Sequence, residues 1–135
     1  MIALIQRVTQ AEVTIGGKKF AEIGTGILAL IAIEKHDTDL EMNRLAERLT
    51  CYRIFPDRNN KMNLSLADTG KGNRPSFSAA ATPERSRAMF EKFVAMVRSR
   101  HSNTASGCFG EDMQVSLTND GPVTFLLRTP ARLAP

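Results

Sequence analysis

The chain has 135 residues, 42% hydrophobic and 24% charged, the balance of one soluble domain with its own core. Its formal net charge is +4 at neutral pH. No apolar run approaches the ~20 residues that span a bilayer, and the N-terminal MIALIQRVTQ is too short and wrongly flanked for a signal peptide. A cytoplasmic location, with no membrane partner, is the expectation.

In chain order, IALIQRVTQAEVTI alternates loosely and is rich in β-branched residues, which predicts one or two strands. GGKK at 16–19 reads as a turn, and FAEIG as the returning strand. GILALIAI at 26–33 has the length and composition of a strand buried on both faces. The period then changes. Thr38 and Glu41 have capping-box spacing, and Met42, Leu45, Ala46, Leu49 and Tyr52 follow at helical intervals, predicting a helix over 38–51. YRIF reads as a short strand, PDRNN at 56–60 as a turn, and KMNLSL as a strand. Small and turn-forming residues over 67–82 predict a loop. Thr82-Pro83 has the look of an N-cap followed by proline, and Phe90, Phe93, Val94 and Val97 mark a second helix over 83–99. MQVSL and VTFLL are the last predicted strands, and RTPARLAP a loose tail. The whole predicts one α+β domain over 1–127, with a mostly antiparallel or mixed, barrel-like sheet and two helices, followed by a tail over 128–135.

The search for catalytic side chains is thin. Gly-x-Gly-x-x-Gly, P-loop, His-Glu-x-x-His and Gly-x-Ser-x-Gly motifs are all absent from the sequence. Cys51 and Cys108 read as reduced, structural thiols. His36 and His101 are the only histidines, too few ligands at the wrong spacing for zinc, so neither a metal nor a cofactor is expected. GKGNR at 70–74 reads either as a phosphate cradle or as a plain loop. From 71 to 100, lysines and arginines outnumber Glu84 and Glu91, which suits a phosphate-facing surface or a solvated helix face. An enzyme with this inventory would work through backbone groups or through a group on its substrate, and the 2′-OH of RNA is one such group. LTNDGPVTFLL at 117–127 is the unusual stretch. Asp120-Gly121 is a hairpin signal, yet a proline follows it.

Taken together, MIALIQRVTQAEVTI, AEIGTGILAL, YRIF, KMNLS, RPSFSAAATP and FGEDMQVSLTNDGPVTF resemble the bacterial D-aminoacyl-tRNA deacylases, also called D-tyrosyl-tRNA deacylases. The resemblance covers residues 1–127 with one break, and implies a deacylase-type fold and a homodimer. It also implies hydrolysis of the ester joining a D-amino acid, or glycine mischarged on tRNA-Ala, to the terminal adenosine of tRNA, with L-aminoacyl-tRNA rejected. NDGPVT matches the family's Asn-x-Gly-Pro-x-Thr motif, in which the Gly-Pro bond is cis and reaches into the partner subunit's pocket. Gly121 and Pro122 take that role by resemblance. Their carbonyls would accept from the substrate ammonium and fill the space of an L side chain, so discrimination comes by exclusion. Asn119 and Thr124 would hold the pair by side-chain hydrogen bonds. Phe109 and Met113 match residues near the family's pocket, and core packing accounts for them equally well.

The break falls between MNLS and RPSF. There the family carries a further strand ending in a Ser-Gln-x-x-Leu motif that lines the catalytic pocket. This chain reads KMNLSLADTGKGNRPSF and has no Ser-Gln pair, so its catalytic residues stay unassigned. Loss of a strand would orphan its neighbours' backbone groups unless the chain refills the gap. The alternative expectation is therefore a tRNA-binding relative with impaired catalysis.

Overall fold

The computed structural model describes residues 1–79 and 81–130, and over 73–79 it describes the backbone. Two sheets and three helices follow in the order β1 (Ile2–Ile15), β2 (Lys18–Ile23), β3 (Gly26–Ile33), α1 (Asp39–Cys51), β4 (Phe55–Pro56), β5 (Met62–Leu64), α2 (Leu66–Thr69), β6 (Gly72–Ala79), α3 (Pro83–Arg100) and β7 (Met113–Arg128). The larger sheet runs β2-β1-β3-β6, and β7 lies along β1; β4 and β5 form a separate pair. The α+β class and the mostly antiparallel, mixed sheet are as expected. The ladder does not close among the described residues: β2, β6 and β7 each pair with a single strand.

β1 is one strand of 14 residues and organises the sheet. Its first half pairs with β3 from Ile2 to Val8, its second half with β2 from Ala11 to Ile15, and its whole length with β7. The β1–β2 turn falls on Gly16 and Gly17, whose φ values of +57° and +77° suit glycine. Met1, and Ala3 and Ile5 of β1, join Ile27, Ala29, Ile31 and Ile33 of β3 in the main core. Against them pack Met42, Leu45 and Leu49 of α1 and Phe90, Phe93 and Val97 of α3, which is why both helices carry apolar residues at three- and four-residue spacing. Val8, Ala11, Ile23 and Leu28 form a second, smaller cluster.

The α1 capping box is present: the Leu40 N–H donates to the Thr38 hydroxyl, and the Thr38 N–H donates to Glu41 Oε2 at 2.7 Å. At α3, Thr82 occupies the N-cap position without a side-chain capping bond, and Pro83 supplies the first turn.

Three sequence expectations are corrected. YRIF is not a strand; only Phe55–Pro56 pairs, with β5. KMNLSL is a strand only over Met62–Leu64, and 67–82 is not an unbroken loop. Ser65 and Asp68 form a second capping box, and Gly70 closes α2 with φ +67°. Gly72–Ala79 then forms β6, parallel to β3 over its whole length from Gly26↔Gly72 to Ile33↔Ala79. The edge of β3 therefore has a partner, and the strand comes from the segment after the break. Pro75 is tolerated there because β6 is an edge strand. α2 also makes a third helix where two were expected.

The tail expectation is corrected over 128–130, while 131–135 lies outside the described residues. β7 runs through Arg128 and Thr129 is buried. The Thr129 N–H donates to the Met1 carbonyl at 2.9 Å, and the Met1 ammonium donates to the Thr129 carbonyl at 2.8 Å. That ammonium also donates to Asp37 Oδ1 at 2.7 Å, with both groups fully buried.

Candidate functional site

MQVSL and VTFLL are not two strands of a hairpin. β7 is continuous over 16 residues and antiparallel to β1 throughout. Gln6 pairs with Thr124 and Val8 with Asn119, so Asp120, Gly121, Pro122 and Val123 all stand opposite Arg7. They form an enlarged bulge in the middle of a long strand pair. The Gly121–Pro122 peptide is cis. Gly121 has φ +132°, and both residues are exposed.

The bulge is held from both sides. Asn119 Oδ1 accepts from the Val123 N–H at 2.9 Å, and Asn119 Nδ2 donates to Thr124 Oγ1 at 3.0 Å. The side-chain bonds expected of Asn119 and Thr124 are thus present, and Gln6 Nε2 adds a longer contact to Thr124 at 3.5 Å. Beneath the bulge lies Arg7, its side chain only 12% exposed. Its Nε donates to the Asp120 carbonyl at 3.1 Å and sits 3.3 Å from the Asp120 carboxylate. Its Nη1 donates to the Ile54 carbonyl at 2.9 Å. Arg7 is the residue that sequence reasoning missed. A signal was available: it continues the inward alternation of Ala3 and Ile5, and an arginine on a core-facing period calls for internal acceptors.

A Cβ added at Gly121 would meet Val123 Cγ2 at 2.6 Å and Arg7 Nη2 at 3.1 Å. Glycine is therefore required by sterics as well as by φ.

Phe109 and Met113 are not beside this bulge. Met113 pairs with Ile15, eight residues along β1 from Arg7, about 25 Å of extended strand. Met113 Sδ accepts from the Cys108 N–H at 3.3 Å. Phe109 packs near Phe90 at a ring separation of 6.3 Å, with the Arg87 guanidinium 5.2 Å from its ring centre. One chain thus carries two separate groups: Gly121-Pro122 with Asn119, Thr124 and Arg7, and Phe109 with Met113. Clefts of about 250, 290 and 300 Å³ occur on this chain, and neither Gly121 nor Pro122 lines any of them.

The basic stretch is divided too. Arg85 donates to the carbonyls of Glu34, Lys35 and Asp37, and Lys92 pairs with Asp39 at 2.6 Å. Lys71 lies over the Phe55 ring at 4.6 Å, and its carbonyl contacts His101 Nε2. Arg85 therefore braces the β3–α1 connection, while Arg87, Arg98 and Arg100 stay on the exposed side of α3. The carboxylates held below their usual range serve caps and turns: Glu41 chiefly through the Thr38 hydroxyl, Asp57 through the Lys61 N–H, and Asp68 through the Ser65 N–H. Among the described residues no group of three or more His, Cys, Asp or Glu side chains is placed to hold a metal ion. No helix there is long and apolar enough to cross a membrane.

A five-stranded mixed sheet packed with two long helices, and a glycine-proline bulge held by side-chain bonds on its longest strand pair, define the class. The family model described as D-Tyr-tRNA(Tyr) deacylase matches residues 4–128. The chain belongs to that family. A protein named D-aminoacyl-tRNA deacylase from Methylococcus capsulatus is 53% identical, over 96% of this chain and 95% of its own length. One of the same name from Escherichia coli is 49% identical, over 95% of this chain and 99% of its own. Among solved structures, "c-Myc DNA Unwinding Element Binding Protein" superposes with a TM-score of 0.93 at 30% identity, covering 97% of this chain and 100% of that one. "Structural Analysis of a probable eukaryotic D-amino acid tRNA deacylase" superposes with a TM-score of 0.83 at 15% identity, a likeness of fold. The Methylococcus alignment spans 146 positions, more than the 135 residues of this chain, so that relative carries residues absent here.

Proposed function

We propose that this protein hydrolyses the ester bond of D-aminoacyl-tRNA, releasing the D-amino acid and tRNA and rejecting L-aminoacyl-tRNA. The observation that carries the reading is the Gly121-Pro122 bulge, exposed, clamped by Asn119 and underpinned by Arg7, in a chain about half identical to proteins named for this activity. In the reaction water adds to the ester carbonyl, and the terminal ribose oxygen leaves with a proton. The neighbouring 2′-OH of the ribose assists, and backbone N–H groups stabilise the developing oxyanion. No side-chain nucleophile or metal is invoked.

Chiral selection falls to Gly121 and Pro122. Their backbone occupies the space an L side chain needs, while a D residue presents only hydrogen there. Gly121 and Pro122 act across a homodimer interface, beside Phe109 and Met113 of the other subunit. The distance between the two groups along β1 within one chain supports that arrangement. Glycine mischarged on tRNA-Ala is a further substrate, since it has no side chain to exclude. The site of action is the cytoplasm.

A second reading is favoured by one observation. The strand beside β3 is formed by Gly72–Ala79, and relatives carry residues that this chain lacks. Where that exchange removes oxyanion donors, each lost donor costs ~10²–10³ in rate, leaving a protein that binds tRNA and hydrolyses little. Incubation with D-Tyr-tRNA, L-Tyr-tRNA and Gly-tRNA-Ala separates the readings. Release of D-tyrosine and glycine but not L-tyrosine supports the first. Binding of all three without release supports the second and sinks the first.

A further inference from the structure

Two clefts adjoin at the β1–β2 turn end of the molecule. One, of about 290 Å³, lies between α3 and segment 106–109, with Arg87, Phe90, Arg98 and Phe109 in its walls. The other, of about 300 Å³, is lined by Ile15, Lys18, Lys19 and Glu111. Both include Phe20 and Cys108, so they form one elongated groove. Phe20 stands between its halves and is 53% exposed, a large aromatic face offered to solvent.

The polar groups of the groove are mainly cationic. Lys18, Lys19, Arg87 and Arg98 outnumber Glu91 and Glu111 along it. Lys19 is paired with Glu22 at 2.9 Å, and Arg98 makes only 3.4 Å contacts to the Thr104 carbonyl. Exposed aromatic surface between spaced cations is the pattern that holds single-stranded nucleic acid: bases stack on the rings and phosphates track the charges. A pocket for a compact small molecule would instead enclose it within one cavity.

We infer that this groove holds the unpaired nucleotides next to the 3′-terminal adenosine of tRNA, one base stacking on Phe20 and the phosphates meeting Lys18, Arg87 and Arg98. The inference rests on the tRNA-ester reading above and extends it away from the reacting bond. Phe109 lines one half of the groove, Ile15, the β1 partner of Met113, lines the other, and Cys108, whose N–H donates to Met113 Sδ, is shared by both, so the strand would reach the proposed ester pocket from this groove. Phe20 and Lys18 are surface residues of β2, and their replacement leaves the core intact.

The test uses the full chain and uncharged tRNA, with the dissociation constant measured by fluorescence anisotropy over a range of salt. Phe20→Ala is expected to weaken binding about tenfold, and Phe20→Tyr to restore it. Lys18→Gln and Arg98→Gln should each reduce the magnitude of the log–log salt slope by about 0.7. Unchanged affinity in Phe20→Ala together with unchanged slopes overturns the inference, as does a wild-type protein that binds no tRNA. A shift in sedimentation of Phe20→Ala with tRNA affinity intact assigns the groove to a second copy of this chain and also overturns it. Selective loss of binding in the variants, with no D-Tyr-tRNA turnover by wild type, keeps the groove and removes the ester reading. D-specific turnover with every affinity unchanged does the reverse.

Discussion

At the scale of single residues, the bulge depends on two positions. Arg7 links the Asp120 and Ile54 carbonyls, which belong to segments far apart in sequence. Replacing it with methionine keeps the bulk and removes every donor. The Ile54 carbonyl, in a fully buried residue, then lacks this partner, a loss of about 1–3 kcal/mol. Urea unfolding should show that loss, and a stability equal to wild type would refute the supporting role. Gly121→Ala acts differently. Its Cβ collides with Val123 and the Arg7 guanidinium at a φ that L residues rarely adopt. The bulge must shift, so discrimination between D- and L-Tyr-tRNA should fall more than the D rate itself. Measured as the ratio of the two initial rates, an unaltered ratio would remove Gly121 from the filter. Asn119, Gly121, Pro122 and Thr124 were legible in sequence because the motif is contiguous. Arg7 was not, because its acceptors lie 47 and 113 residues away.

At the scale of elements, α1 was readable because its capping spacing and its 3.6-residue period agree with its capping bonds and burial, and α3 because its period and the Pro83 start agree with its burial. β7 was misread as two strands because Asp-Gly is a hairpin signal, and only its pairing along the whole of β1 shows the residues between as a bulge. β6 was missed because its composition is that of a loop; what makes it a strand is the β3 edge, a tertiary cause invisible in local sequence. The α1 cap offers a pH test. The Thr38 hydroxyl holds Glu41 below its usual range. A depressed folded value means stability present above the unfolded carboxylate range and lost as pH falls through the folded value. Thr38→Ala should therefore cost about 1 kcal/mol near neutrality, and the gap to wild type should narrow in acid. Denaturant midpoints of both proteins at neutral and acidic pH test this; a gap that widens in acid contradicts it.

At the scale of the whole molecule, the chain's first residue, the β3–α1 connection and the end of β7 meet in one buried clasp. The Met1 ammonium, Asp37 and the Thr129 carbonyl are its members, and Asp37 Oδ2 also accepts from the Glu34 N–H at 2.7 Å. Asp37→Ala would remove the buried carboxylate at 2.7 Å and leave the ammonium only the longer, part-exposed Glu34 Oε1 contact at 3.4 Å, a cost of at most about 3–5 kcal/mol. Thermal unfolding should register it as a large drop in Tm, and an unchanged Tm would show that the clasp contributes little. The sheet itself is complete beside β3 although the chain is shorter than its relatives' alignment. The proposed activity requires that this sheet position the ester beside the Gly121-Pro122 bulge. The most direct measurement is the release of amino acid from D-Tyr-tRNA and L-Tyr-tRNA by the wild-type chain under identical conditions. Release from the D ester and retention of the L ester are expected. Equal hydrolysis of both, or hydrolysis of neither, would contradict the proposed activity.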